Sequence, residues 1–261
     1  MRYLVKLSYN GADFCGWQIQ PDAPSVQQAL ESALSTLLHA PVAVTGAGRT
    51  DTGVNAIGYV AHFDAAGELD TRQLCYKLNA ILPRSVVIHE IAPAAPEFHA
   101  RFDAIRREYS YFLHRAKDPF VEAFSYLYTF PGVDFAAMNE AAQALLGQHD
   151  FRCFEKTGAD SKTSICTVTE AAWHRYTPTH LQLTGREGDD YWYFRIAADR
   201  FLRNMVRAVV GTLLEVGRGT RTLADFQSLV LPPEYEGEGT CRSLAGESVP
   251  GYALFLSDVR Y

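Results

Sequence analysis

The sequence lacks the motifs with which proteins bind a catalytic metal or build a disulfide framework. None of its five cysteines belongs to a Cys-x-x-Cys pair, and its eight histidines are isolated, with no His-x-His or His-Glu-x-x-His run. An odd number of scattered cysteines argues against a disulfide framework, and the isolated histidines argue against a zinc site. We therefore predict a protein without a metal that works in a reducing compartment, the cytoplasm.

Long apolar runs are also absent. The first residues, Met1 to Leu7, alternate between apolar and polar side chains, which is typical of neither a signal peptide nor a membrane span. Hydrophobic residues make up 48% of the chain and charged residues 21%, so the composition is that of a folded protein and not of a disordered one. The 261 residues allow one large domain or two of ordinary size, and we predict no membrane partner.

The chain as a whole has no excess of positive charge, because its net charge is −6. A protein that binds nucleic acid needs such an excess at least locally. The charges are unevenly distributed, however. Residues 199–222 hold five arginines against two acids, whereas residues 225–247 hold five acids against one arginine. A basic groove is therefore compatible with the acidic total, and the acidic segment Glu234–Glu238 is typical of a solvated loop.

Hydrophobic periodicity predicts that the first hundred residues form a β-α-β-β-α-β unit. Apolar residues alternate from Arg2 to Tyr9, as in a strand with one buried face. Ser25, followed three residues later by Gln28, forms a capping box that predicts the start of a helix. The other predicted elements are strands over 42–45, 57–63 and 86–91 and a helix over 71–82. This is the order of the ferredoxin-like, or RRM-like, fold.

The second part of the chain repeats this order with additions. Asp134 and Gly147 are the expected N-cap and C-terminal glycine of a helix over 135–146. We therefore predict an α+β protein with two similar ferredoxin-like halves, residues 1–101 and 102–261, whose antiparallel sheets lie side by side with a catalytic cleft between them. The other predicted elements of the second half are strands over 108–115, 164–174, 180–184, 191–197 and 253–259, helices over 201–216 and 223–231, a polar turn over 185–190 and an exposed loop over 232–243.

A glycine-rich loop, Gly46–Ala56, lies between two predicted strands and holds Arg49 and Asp51 one residue apart. Glycine lets the backbone turn sharply and approach a ligand closely. Asp51 has two interpretations. It either caps its own backbone in an Asx-turn, or projects a carboxylate into a cleft beside the Arg49 guanidinium as a nucleophile or a general acid/base. Spacing alone does not decide between them.

The predicted helix over 201–216 places Arg200, Arg203 and Arg207 at i, i+3 and i+7, on one stripe. Such a stripe is most often a solvated face. Gly211 favours another interpretation, because glycine in a helix interior costs about 1 kcal/mol relative to alanine and is tolerated where something packs very close. Arg207 is then a candidate for a partly buried arginine that needs a carboxylate partner.

Aromatic and arginine side chains alternate where the halves join, in Phe98–Phe102 and Arg106–Tyr111. Rings that stack on bases and guanidinium groups that hold phosphates are typical of proteins that bind single-stranded nucleic acid. The two-residue spacing of Tyr109 and Tyr111 is equally that of a strand face packed into a core. Trp17, in an aromatic-rich loop, is similarly either a hydrophobic plug or a residue that contacts a base.

Five motifs follow one another along the chain. In order and spacing, over nearly the whole chain, they resemble those of the TruA family of tRNA pseudouridine synthases. The motifs are Asn10-Gly11-x-x-Phe14-x-Gly16-Trp17-Gln18-x-Gln20, Gly48-Arg49-Thr50-Asp51-x-Gly53-Val54, Leu78-Asn79-x-x-Leu82-Pro83, Phe98-His99-Ala100-Arg101-Phe102 with Arg107-x-Tyr109-x-Tyr111, and Phe201-Leu202-x-x-Met205-Val206-Arg207-x-Val209-x-Gly211.

The resemblance implies an isomerase that converts uridine to pseudouridine in the anticodon stem-loop of tRNA, at uridines 38–40, without a cofactor or metal. Asp51 matches the family's essential aspartate, which attacks either C6 of the base or C1′ of the sugar, and Arg207 matches the arginine that pairs with it. Tyr109 matches the tyrosine that stacks on the target base. Arg49 matches the arginine beside the flipped-out nucleotide, and Leu254 falls where the family has an apolar residue against the uracil.

Arg101, from the aromatic and arginine segment, and Arg203, from the arginine stripe, are further candidates for binding the substrate tRNA. The resemblance also implies a homodimer. The sequence departs from the family at Asn55, where the pattern usually has histidine. Asparagine keeps a donor and an acceptor but does not titrate as imidazole does. We expect Asn55 to form hydrogen bonds in the loop or to the RNA backbone, with activity retained.

Three other functions stay open. A non-catalytic RNA-binding protein could keep the same fold, although the presence of both Asp51 and Arg207 argues against it. An enzyme of the same family could act on a different uridine or a different RNA. A hydrolase or phosphatase with an aspartate nucleophile has no support, because no cluster of metal ligands accompanies Asp51.

Overall fold

The computed structural model of the chain describes residues 1–159, 161–185, 188, 190–235, 237 and 241–261. These residues form an α+β protein with ten strands and six α-helices. In chain order the elements are β1 (Arg2–Tyr9), α1 (Val26–Leu38), β2 (Val44–Gly46), β3 (Asn55–Asp64), α2 (Thr71–Ile81), β4 (Val86–Pro93), β5 (Arg106–His114), β6 (Tyr126–Leu127), α3 (Phe135–Ala142), β7 (Gly147–Asp150), β8 (Ile165–Arg175), α4 (Thr179–Leu183), β9 (Tyr191–Ala198), α5 (Met205–Gly217), α6 (Leu223–Gln227) and β10 (Leu254–Arg260).

The backbone divides into two compact units. Unit 1 comprises Met1–Arg106 and Phe255–Tyr261, and unit 2 comprises Arg107–Leu254. The last strand, β10, pairs in parallel with β3, with Phe255 opposite Asn55. The sequence analysis assigns this strand to the second half, because periodicity identifies a strand but not its neighbour in the sheet. In the structure the chain returns to unit 1.

Unit 1 is built on β3. β1 pairs antiparallel with both β3 and β4, and β2 and β10 pair with the other edge of β3. Tyr3, Val5 and Leu7, at alternate positions of β1, are fully buried, as their alternation predicts. α1 begins after the N-cap Ser25, whose hydroxyl accepts a hydrogen bond from the Gln28 N–H at 3.2 Å. The elements β1, α1, β2, β3, α2 and β4 follow one another in the predicted order.

Unit 2 has an antiparallel sheet in the order β5, β9, β8, β7, with the short β6 along β5. Its α5 helix is buried at every residue except Arg207 and Glu215, so it has to be covered on nearly all sides. α3 packs against α5. Asp134 is the N-cap of α3, as predicted, and its carboxylate accepts from the Ala137 N–H at 2.9 Å.

The prediction of a strand over 180–184 is wrong, because this segment belongs to α4. A short alternating run fits a strand or a single helical turn, and periodicity does not separate the two over five residues. Leu183, which the pattern would bury, is 83% exposed. The short strands β6 and β7 have no counterpart in the sequence analysis.

The long helix begins at Met205 and not at 201. Asn204 has a left-handed backbone with φ of 65°, which asparagine tolerates and which interrupts a helix. Arg200 and Arg203 therefore precede the helix. The prediction that they share a helical stripe with Arg207 is wrong.

Cys153 and Cys241 form a disulfide, which contradicts the prediction from the cysteine pattern. Their Cα atoms are 4.4 Å apart, although 88 residues separate them in the sequence. The turns Arg152–Phe154 and Arg242–Leu244 lie against each other and bring the two thiols together. The spacing of cysteines in the sequence predicts pairs within one motif. It does not predict a pair of distant cysteines that only the folded chain brings together.

Parts of two predicted loops lie outside the described residues. They are residues 186, 187 and 189 of the polar turn and residues 236 and 238–240 of the exposed loop predicted over 232–243, which includes the acidic segment. No helix in the described part of the chain is long and apolar enough to cross a membrane.

Gly211 lies in α5 where another segment of unit 2 crosses the helix. A Cβ at this position would collide with the carbonyl oxygen of Glu247. The crossing segment is hydrogen-bonded to the helix, because the Val249 N–H donates to the Arg207 carbonyl at 3.2 Å. This confirms the prediction that glycine in the helix interior marks a close neighbour.

Replacing Gly211 with alanine should therefore destabilise the protein, although alanine is the better helix former. We expect the free energy of unfolding to fall by about 1–3 kcal/mol as the added methyl group pushes the crossing segment away. Thermal melting measures the effect. Gly67→Ala is the matched control, because a Cβ at Gly67 meets no atom within 4 Å. Equal melting temperatures for the two variants would contradict the close approach.

Candidate functional site

The loop that holds Arg49 and Asp51 joins β2 to β3 in unit 1. Asp51 is half-buried and Arg49 is exposed. The Asp51 carbonyl accepts a hydrogen bond from the Val54 N–H at 3.1 Å, and Gly53 between them has a φ of 75°. The carboxylate is therefore held on a tight turn that only glycine closes without strain.

A second segment, residues 10–17, lies so close to this loop that two of its positions require glycine. A Cβ on Gly11 would collide with the Val54 carbonyl oxygen. A Cβ on Gly16, whose φ is 94°, would collide with the Thr50 carbonyl oxygen. Both glycines belong to the first of the five motifs, so their presence there follows from a steric requirement.

Backbone hydrogen bonds fix the loop on both sides of Asp51. The Trp17 N–H donates to the Thr50 carbonyl, and the Gly53 N–H donates to the Phe14 carbonyl, both at 3.3 Å. One bond lies before the aspartate and one after it. The backbone that bears Asp51 is therefore fixed by main-chain contacts on both sides.

Three buried rings pack against the loop. The Tyr9 hydroxyl shares a hydrogen bond of 2.9 Å with the Thr50 hydroxyl, and the Tyr59 hydroxyl donates to the Gly48 carbonyl. Trp17 is 2% exposed and stacks on Tyr59 with ring centroids 4.1 Å apart. Of the two interpretations of Trp17, a hydrophobic plug or a residue that contacts a base, the structure therefore favours the plug. The sequence analysis missed Tyr9 and Tyr59, because a buried strand position is not distinguished by its pattern from any other core residue.

Asn55 lies at the start of β3 and is 2% exposed. Its Oδ1 accepts a hydrogen bond from the Gly11 N–H at 2.8 Å, which joins the two segments once more. This confirms the expectation of a loop hydrogen bond at this position. The bond needs a fixed acceptor and not a titrating group.

Two hydrogen bonds, one of them buried, hold the turn that presents Arg101. The Ala100 N–H donates to His62 Nδ1 at 3.1 Å, and the Tyr261 hydroxyl donates to the Ala100 carbonyl at 2.7 Å. Burial lowers the pKa of His62, so the neutral ring acts as the acceptor. Arg101 and Phe102 are exposed beside this anchor, with the guanidinium carbon 5.5 Å from the ring centroid.

Tyr109 lies on β5 in unit 2 and is half-buried. Its ring meets Phe201 edge-on, with centroids 5.0 Å apart. Tyr111, two residues further along the same face, is fully buried, and burial raises the pKa of its phenol well above the ordinary value. Tyr111 is therefore a core residue, and only Tyr109 of the pair is accessible to a base.

Arg207 lies in the first turn of α5 and is half-buried. Its Nε donates to the Val249 carbonyl at 2.7 Å. Asn204, just before the helix, donates to the Ser248 hydroxyl at 2.5 Å. The segment that crosses at Gly211 thus also runs along the start of the helix and fixes the direction of the guanidinium.

The remaining candidates, Arg203 and Leu254, both lie in unit 2. Arg203 is exposed on the turn before α5, which also carries Phe201. Leu254 is 5% exposed and is the first residue of β10. Among the described residues, no group of three or more histidine, cysteine, aspartate or glutamate side chains could hold a metal ion.

Comparison with known proteins gives a match over most of the chain. The family model described as "tRNA pseudouridine synthase" matches residues 7–103 and 141–261. The protein named tRNA pseudouridine synthase A from Parabacteroides distasonis is 47% identical over 262 residues, which cover 100% of this chain and 96% of that protein. The protein of the same name from Porphyromonas gingivalis is also 47% identical, and that from Bacillus licheniformis is 36% identical, with 97% and 99% of their lengths covered.

A solved structure of the CRISPR endoribonuclease Cse3 bound to a 19-nucleotide RNA is 12% identical. The superposition covers 84% of this chain and 97% of that one, with a TM-score of 0.21. Agreement this low supports no argument about fold or function.

Replacing Asn55 with alanine should destabilise the protein, because the buried Gly11 N–H loses its acceptor. We expect the free energy of unfolding to fall by about 1–3 kcal/mol, measured by thermal or urea unfolding. Asn55→His, which restores the residue usual in the family and offers a ring nitrogen as acceptor, should keep more of this stability. Thr52→Ala, at an exposed position of the same loop, is the control. An alanine variant as stable as the control would mean that the bond contributes nothing.

Proposed function

The chain belongs to the tRNA pseudouridine synthase family, and we propose on that premise that it converts uridine to pseudouridine at positions 38–40 of the anticodon stem-loop of tRNA. The observation that most directly supports this is the fixed loop that holds a half-buried Asp51 beside an exposed Arg49. The reaction is an isomerisation. The C1′–N1 bond breaks, the C1′–C5 bond forms, C5 loses a proton and N1 gains one, so no cofactor or metal is needed.

Asp51 is the proposed nucleophile. A carboxylate that adds to C1′ of the sugar, or to C6 of the base, makes the glycosidic bond easier to break, because it captures an electron-poor centre. Both routes need a carboxylate of fixed direction. The hydrogen bonds before and after Asp51 support this role, because they fix the backbone that bears the carboxylate before the substrate binds.

Arg207 is the proposed partner of Asp51. An arginine beside the carboxylate would keep it ionised and aim it at the nucleotide. The bond from Nε to the Val249 carbonyl supports this role, because it orients the guanidinium plane. The proposal requires Asp51, from unit 1, and Arg207, from unit 2, to act on the same nucleotide, as the two similar halves with a catalytic cleft expected from the sequence would allow.

The other candidates bind the substrate in this proposal. Tyr109 stacks on the target uracil after the nucleotide has left its stack, which costs a few kcal/mol, and Leu254 packs against the same base. Arg49 holds the flipped-out nucleotide. Arg101 and Arg203, both exposed, contact the RNA backbone. We further propose that the enzyme works as a homodimer in the cytoplasm, on the strength of the family resemblance.

Asp51→Asn tests the proposed nucleophile. The amide cannot form the covalent bond, so pseudouridine formation in an anticodon stem-loop substrate should fall at least about a thousand-fold. The melting temperature and tRNA binding should stay close to those of the wild type, since the main-chain bonds of the loop are kept. Pseudouridine is measured by release of tritium from uridine labelled at C5.

Asp13→Asn is the matched control, because Asp13 is exposed, lies in the segment that packs on the loop and undergoes the same loss of charge. It should retain full activity. Near wild-type activity of Asp51→Asn would refute the nucleophile. A wild-type protein that binds tRNA but forms no pseudouridine would instead favour the non-catalytic RNA-binding protein.

A further inference from the structure

Unit 2 has a basic concave surface that none of the proposed catalytic residues occupies. It is a cavity of about 300 Å³ on the loop between β7 and β8, which we term the basic groove. Its described lining contains no aromatic side chain; it has three cationic residues, Arg152, Lys156 and Lys162, one acid, Glu155, and otherwise hydroxyl and main-chain groups. Among the lining residues are Lys156, Thr157, Ser161, Lys162, Thr163 and Ser164.

The groove is attached to the turn that precedes α5. The Arg200 side chain donates from Nη1 to the Thr163 carbonyl at 3.0 Å, and the Lys156 N–H donates to the Arg203 carbonyl at 3.0 Å. These two bonds place Arg203 and Arg200 beside the two lysines of the groove. The sequence does not predict this neighbourhood, because about forty residues separate the two segments.

The acids in and beside the groove either form an ion pair or accept hydrogen bonds from neutral groups. Glu155 accepts a hydrogen bond from the Ser161 hydroxyl, Asp150 is paired with Arg152 at 2.6 Å, and Asp199 accepts the Arg200 N–H at 2.7 Å. Within the part of the chain that the structure describes, which excludes Asp160, the ammonium groups of the groove form no ion pair. The ammonium groups of Lys156 and Lys162 are therefore available to a ligand.

The chemistry of this lining suits a phosphodiester backbone. Ammonium groups and hydroxyl donors bind phosphate oxygens, whereas a surface that stacks unpaired bases has aromatic rings, which the described lining lacks. The turn that bears Arg203 also carries Phe201, whose ring meets Tyr109 at 5.0 Å. Within unit 2 this turn thus contacts both the groove and the residue proposed to stack on the target base.

We propose that the basic groove binds the sugar-phosphate backbone of the substrate tRNA and holds it while the target nucleotide stacks on Tyr109. This inference rests on the proposed function and extends it by a binding site. Lys156 and Lys162 are the phosphate-binding residues, with Arg203 next to them. They contribute affinity and not chemistry, so their loss should change binding and leave the isomerisation step intact.

The test is the double variant Lys156→Gln with Lys162→Gln. Both side chains are exposed, so the variant should fold as the wild type does. We expect the Kd for tRNA to rise about tenfold at 0.15 M salt, and the slope of log affinity against log salt to become shallower by about 1.5, since each lost phosphate contact removes about 0.7–0.9. The single-turnover rate at saturating tRNA should be unchanged.

The matched control is Lys77→Gln with Lys117→Gln, which removes the same charge from exposed lysines elsewhere on the protein. The groove variant could keep the wild-type Kd and salt slope while the wild type forms pseudouridine. This result would overturn the proposed role of the groove in binding tRNA and leave the proposed function standing. An equal loss in the control would also overturn it, because total charge would then be the cause. A wild type that neither binds nor modifies tRNA would refute the proposed function itself.

Discussion

The close approach of residues 10–17 to the Asp51 loop is the constraint on which the rest of the candidate site depends. It requires glycine at 11 and 16, because any side chain there would meet a carbonyl oxygen of the loop. Once the segments are in contact, main-chain bonds and the buried Asn55 amide hold the loop. The entropic cost of ordering the backbone that bears the carboxylate is therefore met on folding and not in each catalytic cycle.

Unit 2 orients its candidate residue by a similar device. Gly211 lets the segment at Glu247 pass directly over a buried helix, and the same segment supplies the Val249 carbonyl that accepts from Arg207. In both units a glycine makes room for another backbone, and that backbone orients a charged side chain or the turn that bears it. Glycines at these positions therefore shape the candidate site indirectly, since they position groups that they do not touch.

Features determined by neighbouring residues could be predicted from the sequence. The caps Ser25 and Asp134 are examples, because each bonds to an N–H three residues away. The start of α5 was predicted four residues too early, since the left-handed backbone of Asn204 depends on its tertiary bond to another segment. The Cys153–Cys241 pair was missed for the same reason, because the contact exists only in the folded chain.

The candidate site likewise has a part that neighbouring residues determine and a part that depends on tertiary contacts. Asp51 and its glycines form a local motif, so the sequence identified them, whereas Tyr9 and Tyr59 support the loop from distant strands.

The central claim is that the protein uses this loop to isomerise uridines of the anticodon arm. The most direct test maps pseudouridine in tRNA from cells with the gene, without it, and with the gene restored. The account predicts that pseudouridine at positions 38–40 disappears on deletion and returns on restoration. Unchanged modification at all three positions would contradict it.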